Sequence, residues 1–96
     1  MTGPIVVINP NSNQAVTDGL AKVLAPFARS DGPAIDCVTL TDGPFGIESQ
    51  VHSDQVVLPL VDLIAQRADA STFIIACYSD PGIDACRSVS PVPVFG

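Results

Sequence analysis

The sequence has few charged residues, and few of those are basic. Only 15% of the 96 residues are charged, with four basic against ten acidic side chains, so the formal net charge is −6. A surface this short of positive charge argues against nucleic acid as a partner. Hydrophobic residues nevertheless make up 47% of the chain. This composition excludes a disordered polymer and predicts one small domain built around an apolar core.

Histidine is also scarce, and the cysteines follow no metal-binding pattern. His52 is the single histidine, so this chain cannot by itself assemble a His-rich metal site. The three cysteines have no CxxC spacing, and they are Cys37, Cys77 and Cys86. This pattern favours free thiols in a reducing cytoplasm over a disulfide or zinc framework.

Long apolar runs are missing as well. The longest apolar stretch, residues 56–63, is interrupted by Pro59 and Asp62 and is far shorter than the roughly 20 residues that span a bilayer. The first residues contain no basic leader. We therefore expect a cytoplasmic protein that is neither secreted nor embedded in a membrane.

Short β-branched segments alternate with amphipathic ones. Segments typical of strands cover residues 4–8, 34–40, 71–76 and 92–95. Pro91 and Pro93 indicate that the last of these segments is an edge strand. The intervening segments have helical spacing, and the first predicts an apolar stripe of Val16, Leu20, Val23, Leu24 and Phe27.

The predicted helix ends depend on a few polar and proline residues. Asn11, Ser12 or Asn13 could cap the first helix, with Asn11 or Ser12 preferred. In the second helix, Pro59 removes a backbone hydrogen bond and predicts a kink. Asp80 and Pro81 suit the N-cap and first-turn positions of the third helix.

The resulting order, β-α-β-α-β-α-β, predicts an α/β protein. We expect a flavodoxin-like three-layer α/β/α fold with a four-stranded parallel sheet in strand order 2-1-3-4. Ligands of such sheets bind beyond the carboxyl ends of the strands. Those ends bring residues 9–12, the loop 41–48, residues 77–80 and Gly96 to one rim, which is the predicted site.

Cys77 is the sharpest chemical candidate on that rim. It ends a buried strand just before a predicted helix start, where unpaired backbone N–H groups and the helix dipole favour a thiolate. The alternative is that it fills space, as buried cysteines commonly do. Cys37 and Cys86 have no turn or base beside them, and packing is the favoured interpretation for both. Ser79 is either a hydrogen-bond donor to an oxyanion or an ordinary turn residue.

Polar residues after the first strand form the second candidate group. Asn9, Asn11 and Ser12 could hold a ligand carboxylate or imide beside a helix N-terminus, or they could simply form the turn. The glycines Gly43 and Gly46 lack the third glycine of a dinucleotide fingerprint. Nucleotide binding is therefore a weak alternative.

Three motifs, considered together, resemble a known family. They are INPNS at residues 8–12, GPFGIES at residues 43–49 and ACYSDPG at residues 76–82. In this order, and covering almost the whole chain, they resemble the Asp/Glu/hydantoin racemase family, most closely its hydantoin and allantoin racemase branch.

The resemblance implies a stereoinversion that uses neither metal nor organic cofactor. Two cysteines face opposite sides of the substrate's α-carbon, one removing a proton and the other returning one, and the first of them matches Cys77. The resemblance further implies a substrate-binding set of Asn9, Asn11, Ser12, Tyr78 and Ser79, with Gly46 and Ile47 shaping the pocket. The implied partner is a small molecule such as a hydantoin, allantoin or an amino-acid derivative.

The sequence departs from the family pattern in its length. Family members have a second, similar α/β domain that supplies the other cysteine, and neither Cys37 nor Cys86 matches that position. We therefore interpret residues 1–96 as a single α/β domain that matches the N-terminal half of such a racemase, without the C-terminal domain and incomplete by itself.

Four alternatives stay open at this point. The chain could be a non-catalytic flavodoxin-like binding module or a truncated remnant. It could also be a decarboxylase of the same superfamily, although a small residue is then expected at position 77. Finally, two copies could form a homo-oligomer that sets their Cys77 thiols face to face.

Overall fold

The protein is built on one parallel sheet. The computed structural model describes residues 3–96, and its strands are β1 (Ile5–Asn9), β2 (Ile35–Thr39), β3 (Thr72–Ile75) and β4 (Val94–Phe95). Their spatial order is β2-β1-β3-β4, and every pairing is parallel. This confirms the predicted fold class and strand order.

The strand positions follow from composition. β1 is β-branched along most of its length and pairs with strands on both sides, with Val7 opposite Cys37 in β2 and opposite Ile74 in β3. β4 is an edge strand of two residues. Proline cannot donate to a sheet ladder, so Pro91 and Pro93 limit this strand to the edge, as predicted.

Helices lie on both faces of the sheet. They are α1 (Gln14–Leu24), α2 (Gln50–Gln55), α3 (Val57–Gln66) and α4 (Ile83–Val89), and a short 3-10 turn at Ala25–Phe27 follows α1. Within residues 3–96, no helix is long and apolar enough to cross a bilayer.

Strand alternation divides the buried side chains between the two faces. One face, here called the core face, packs against α3 and α4, and its buried members are Val6, Ile8, Leu40, Val56, Leu60, Ile64, Ala70, Phe73, Ile75, Cys86 and Val94. The opposite face, here called the α1 face, packs against α1 over β1 and β2. The fold is therefore a three-layer α/β/α arrangement.

The break in the second predicted helix is not where the sequence placed it. We expected a kink at Pro59, whereas α2 ends at Gln55, Val56 is its C-cap, and α3 begins at Val57. Pro59 cannot donate to the carbonyl of Gln55 four residues earlier, and its ring would collide with that carbonyl. The proline therefore interrupts the helix about one turn before its own position, and Pro59 itself lies in the first turn of α3.

The start of the last helix also differs from the prediction. Asp80 is not the N-cap and Pro81 is not in the first turn, because α4 begins at Ile83 with Gly82 as its N-cap. Gly82 has φ +68° and its position lies close to Val57 of α3, where a Cβ would meet the backbone at 3.3 Å. This left-handed, crowded position suits glycine and sets the helix start two residues later than expected.

The cap and the buried side of α1 were also predicted wrongly in part. Asn13, rather than Asn11 or Ser12, is the N-cap, and its side chain accepts a hydrogen bond from the Ala15 amide. The buried residue of α1 is Thr17. From the predicted apolar stripe, Val16, Val23 and Phe27 are instead 40%, 68% and 69% exposed.

Candidate functional site

The carboxyl ends of the strands meet at one rim through backbone hydrogen bonds. The Leu40 amide donates to the Asn9 carbonyl at 2.9 Å, and the Ala76 amide donates to the Ile8 carbonyl at 2.9 Å. The loops that follow β1, β2 and β3 therefore begin side by side. Each of the three sequence motifs contributes to this rim.

An open cavity of about 580 Å³ lies at the rim beside the end of β3. Its lining residues are Leu20, Ile74, Ile75, Ala76, Cys77, Tyr78, Asp80 and Gly96. Leu20 belongs to α1, and Ile74 alternates with the core residues of β3 and so points to the α1 face. The cavity exists because α1 covers β1 and β2 and leaves β3 and β4 open on that face.

Cys77 lies where the backbone leaves β3 and turns. The Asp80 amide donates to the Cys77 carbonyl at 3.1 Å, closing a four-residue turn over residues 77–80. The Cys77 side chain is partly exposed, and its Sγ lies 3.5 Å from Oγ of Ser79. The turn therefore places a thiol at the cavity wall with a hydroxyl beside it. The helix that we expected to begin at Pro81 begins at Ile83, so Cys77 lies two residues further from its N-terminus than predicted.

The other two cysteines occupy different surroundings. Cys86 is fully buried in the core cluster, and burial raises the pKa of its thiol. Cys37 on β2 lines a separate hollow of about 240 Å³ against α1, and burial together with the charge of Asp36 raises the pKa of that thiol. The protonated thiol is favoured at both positions, and neither lines the cavity beside Cys77.

Asn9 and Asn11 are occupied by hydrogen bonds within the loop after β1. Asn9 is 1% exposed, and its Nδ2 donates to Asn11 Oδ1 at 2.8 Å, to the Asn13 carbonyl at 3.1 Å and to Thr17 Oγ1 at 3.1 Å. Asn11 Oδ1 also accepts from the Asn13 amide at 2.9 Å. These contacts shape the start of α1. Substrate binding by Asn9 and Asn11 stays a prediction, and neither lines the cavity.

The loops after β1 and β2 are joined to each other. The Ser12 amide donates to the Pro44 carbonyl at 2.8 Å. A Cβ on Gly43 would approach the Pro10 carbonyl to 2.6 Å, so glycine permits this close contact. Ile47 is partly buried and packs against the core cluster. Ser12, Gly46 and Ile47 do not line the cavity, and their role in binding stays a prediction.

Sequence reasoning placed Cys77, Tyr78, Asp80 and Gly96 on this rim and missed other neighbours. Leu20 and Ile74 also line the cavity, and only the folded topology brings α1 beside β3. Tyr78 is fully exposed, so its ring has room to move over the opening. None of the lining residues, all of which fall within residues 3–96, is basic. Asp80 is the carboxylate among them.

Comparisons with known proteins agree with the motifs. A profile of the Asp/Glu/hydantoin racemase family matches residues 5–96. A hydantoin racemase of Pseudomonas sp. (strain NS671) is 35% identical over 96% of this chain and 37% of its own length. A hydantoin racemase of Paenarthrobacter aurescens is 32% identical over 96% of this chain and 40% of its own length.

A solved structure extends the likeness to three dimensions. The allantoin racemase from Klebsiella pneumoniae superposes with a TM-score of 0.88 at 27% identity, covering 99% of this chain and 39% of that one. The chain thus spans about two fifths of the length of the relatives it matches. With the family profile matched across nearly the whole sequence and the fold in common, the chain belongs to the Asp/Glu/hydantoin racemase family.

Proposed function

We propose that this chain is the N-terminal half of a cofactor-independent racemase that inverts the α-carbon of 5-substituted hydantoins or related amino-acid derivatives. Cys77 is the base on one side of that carbon. A second thiol, on the opposite side, comes from polypeptide outside these 96 residues. The relatives are named hydantoin and allantoin racemases, which supports the substrate class. The three free thiols are compatible with work in the cytoplasm.

The observation that supports this role most is the placement of Cys77. Of the three cysteines, it is the one that lines the 580 Å³ cavity at the carboxyl rim. A cavity of that volume matches a small ring, since ligand pockets commonly measure about 300–1,000 Å³. Ser79, with Oγ 3.5 Å from Sγ, can donate a hydrogen bond that stabilises the thiolate.

The proposed proton transfer is balanced. The Cys77 thiolate takes the proton from the ring carbon, so a C–H bond breaks and an S–H bond forms. The electron pair moves into the adjacent carbonyl and gives an enolate, which a hydrogen-bond donor beside that carbonyl would stabilise. A thiol on the opposite face then donates a proton to carbon and becomes a thiolate. With Cys77 alone, the proton returns to the same face and configuration is retained.

The test is proton NMR of a single enantiomer of a 5-substituted hydantoin in heavy water. We expect the wild-type chain to accelerate loss of the ring C–H signal, while optical rotation falls no faster than in buffer. Cys77→Ser should abolish the acceleration, because a serine hydroxyl is a far weaker base than a thiolate. Cys37→Ser is the matched control and should exchange like the wild type.

The possible results separate the alternatives. Exchange that survives Cys77→Ser would contradict the assignment of the base. Exchange accompanied by equally fast racemisation would mean that the chain holds a complete site, for example through a dimer. Light scattering distinguishes these cases, because a monomer removes the two-fold pairing of Cys77 thiols.

A non-catalytic binding module is the second candidate, and one observation favours it. Val16, Val23 and Phe27 form an exposed apolar stripe along α1 and the turn that follows it. We propose that polypeptide present in the longer relatives covers this stripe. If the wild-type chain catalyses no exchange, Val23→Lys should improve its solubility without lowering its melting temperature, as expected for an interaction surface.

A further inference from the structure

Asp80 is the carboxylate that lines the cavity beside Cys77. Its backbone has φ +47°, a left-handed conformation that is uncommon for a residue with a side chain. Its amide closes the turn onto the Cys77 carbonyl, and its own carbonyl accepts from the Ile83 amide at 3.3 Å. The backbone on both sides of Asp80 is thus held by the same turn that positions the thiol.

The side chain of Asp80 reaches across to the end of β4. A Cβ on Gly96 would collide with the Asp80 carboxylate. The carboxylate therefore lies against the backbone at Gly96, and both residues form part of the cavity wall. Asp80 is not engaged as a helix cap, which was the role expected for it from the sequence.

The charged side chain in the cavity lining is negative. The lining contains one side-chain carboxylate and, among the described residues, no lysine, arginine or histidine that could neutralise a ligand carboxylate. A carboxylate on a ligand in this cavity would be repelled by Asp80 and would find no cationic partner. An N–H group of a neutral ring, by contrast, could donate to the Asp80 oxygens.

We infer that Asp80 determines substrate specificity by favouring neutral cyclic ureides with N–H donors over substrates that present a free carboxylate beside the reacting carbon. This inference rests on the proposed function, since it names the group that selects substrates for the Cys77 site. Asp80 accepts a hydrogen bond from a ring N–H and orients the C–H bond towards Sγ of Cys77. Free α-amino acids are disfavoured by the same charge.

The test compares two alkylating reagents that differ in charge and little in shape, iodoacetamide and iodoacetate. With either reagent the Cys77 sulfur displaces iodide from the CH₂ carbon, so an S–C bond forms and iodide leaves. Rates at Cys77 are followed by peptide mass spectrometry, which separates it from Cys37 and Cys86. The ratio of the two rates reports the charge felt at the sulfur, because a change in the reactivity of the thiol affects both reagents alike.

The informative variant is Asp80→Asn. Asparagine has nearly the same shape and tolerates the left-handed conformation, so the turn should be retained. We expect the preference for iodoacetamide over iodoacetate to fall by about three-fold, the effect of one charge several ångströms away in a water-exposed site. Asp62→Asn, on the exposed side of α3, changes the net charge equally and should leave the ratio unaltered.

A second measurement uses ligands instead of reagents. NMR titration of the wild-type chain should show tighter binding of 5-methylhydantoin than of hydantoin-5-acetate, and Asp80→Asn should narrow that difference. An alkylation ratio that Asp80→Asn does not change, or equal binding of the two hydantoins to the wild type, would overturn the inference even if Cys77-dependent exchange is observed. An altered ratio without any exchange would contradict the racemase proposal instead.

Discussion

The two faces of the sheet are stabilised by different interactions. On the core face, Val6, Ile8, Phe73 and Ile75 are at most 1% exposed beneath α3 and α4. On the α1 face, Val7 is 3% exposed, and hydrogen bonds between polar side chains lie beside it: Asn9 donates to Thr17, and the Thr17 hydroxyl is hydrogen-bonded to that of Thr39. The 580 Å³ cavity beside Cys77 opens on this same face of the sheet.

The difference shows how a small domain can combine stability with an open site. One densely packed face supplies most of the apolar burial that folding requires. The other face can then leave β3 uncovered and present a thiol without losing the fold. On α1, Val16 and Val23 are exposed and the one buried residue is Thr17, which is polar.

The largest expected effect comes from two neighbouring isoleucines that point to opposite faces. Ile75 is 0% exposed in the core cluster, whereas Ile74 is partly exposed at the cavity. Ile75→Ala should lower the free energy of unfolding by about 2–5 kcal/mol through lost burial and a new internal void. Ile74→Ala should cost about 1 kcal/mol, because its removal only widens a space already open to water.

Urea unfolding followed by circular dichroism measures both changes. Each variant is the control for the other, since the residue type and strand are the same. Equal destabilisation by the two substitutions would contradict the division into a packed face and an open one.

The next effect tests the polar cluster on the α1 face. Asn9→Ala removes the donor to Thr17 Oγ1, Asn11 Oδ1 and the Asn13 carbonyl. Because buried acceptors would lose their partner, we expect a loss of about 1–3 kcal/mol in unfolding free energy. Asn13→Ala, which removes the cap of α1, should cost about 1 kcal/mol.

Stability and exchange activity together decide what Asn9 does. A structural role predicts that Asn9→Ala destabilises the fold more than Asn13→Ala does, with the remaining folded protein still exchanging the hydantoin C–H. A fully stable Asn9→Ala variant that binds hydantoin more weakly would instead support the substrate-binding role predicted from the sequence.

Strand positions could be predicted because burial acts on each strand directly. β1 is a nearly continuous apolar run, as a strand covered on both faces requires. β3 is also largely apolar although its α1 face is open, and Pro93 marks the edge. The orientation of α1 could not be predicted in the same way. Helical spacing selects the apolar stripe through Val16 and Val23, whereas hydrogen bonding to Asn9 and Thr39 turns Thr17 towards the sheet.

The position of the Cys77 thiol could be predicted from the sequence, whereas part of the cavity wall could not. Cys77 and Tyr78 follow a buried strand, so their place on the rim comes from local sequence. Leu20 reaches the cavity from α1, and only the packing of that helix on the sheet brings it beside the end of β3. Asp80 resembled a helix cap, because the sequence did not reveal that Gly82 would be the N-cap of α4.

The smallest expected effect concerns a polar interaction at the border of the core face. Arg67, the C-cap of α3, donates to Asp69 at 3.0 and 3.1 Å, and its Nη1 lies 2.6 Å from Asp36 Oδ2. Asp36 pairs with Val6 across the sheet and so belongs to the core face. The hydrogen bond from Arg67 lowers the pKa of Asp69.

That direction fixes the pH dependence. A carboxyl whose pKa is lower in the folded state stabilises the fold fully above its unfolded pKa of about 3.9, and the contribution is lost as the pH falls through the folded value. We expect Arg67→Gln to lower the melting temperature by a few degrees at pH 7 and by progressively less below about pH 4. Arg29→Gln is the matched control, because Arg29 makes a similar pair with Asp31 but their side chains are 75% and 72% exposed. The melting temperature of Arg29→Gln should therefore equal that of the wild type at every pH. If Arg67→Gln behaves like Arg29→Gln, apolar packing alone stabilises the core face, and the contrast with the hydrogen-bonded α1 face is sharper still.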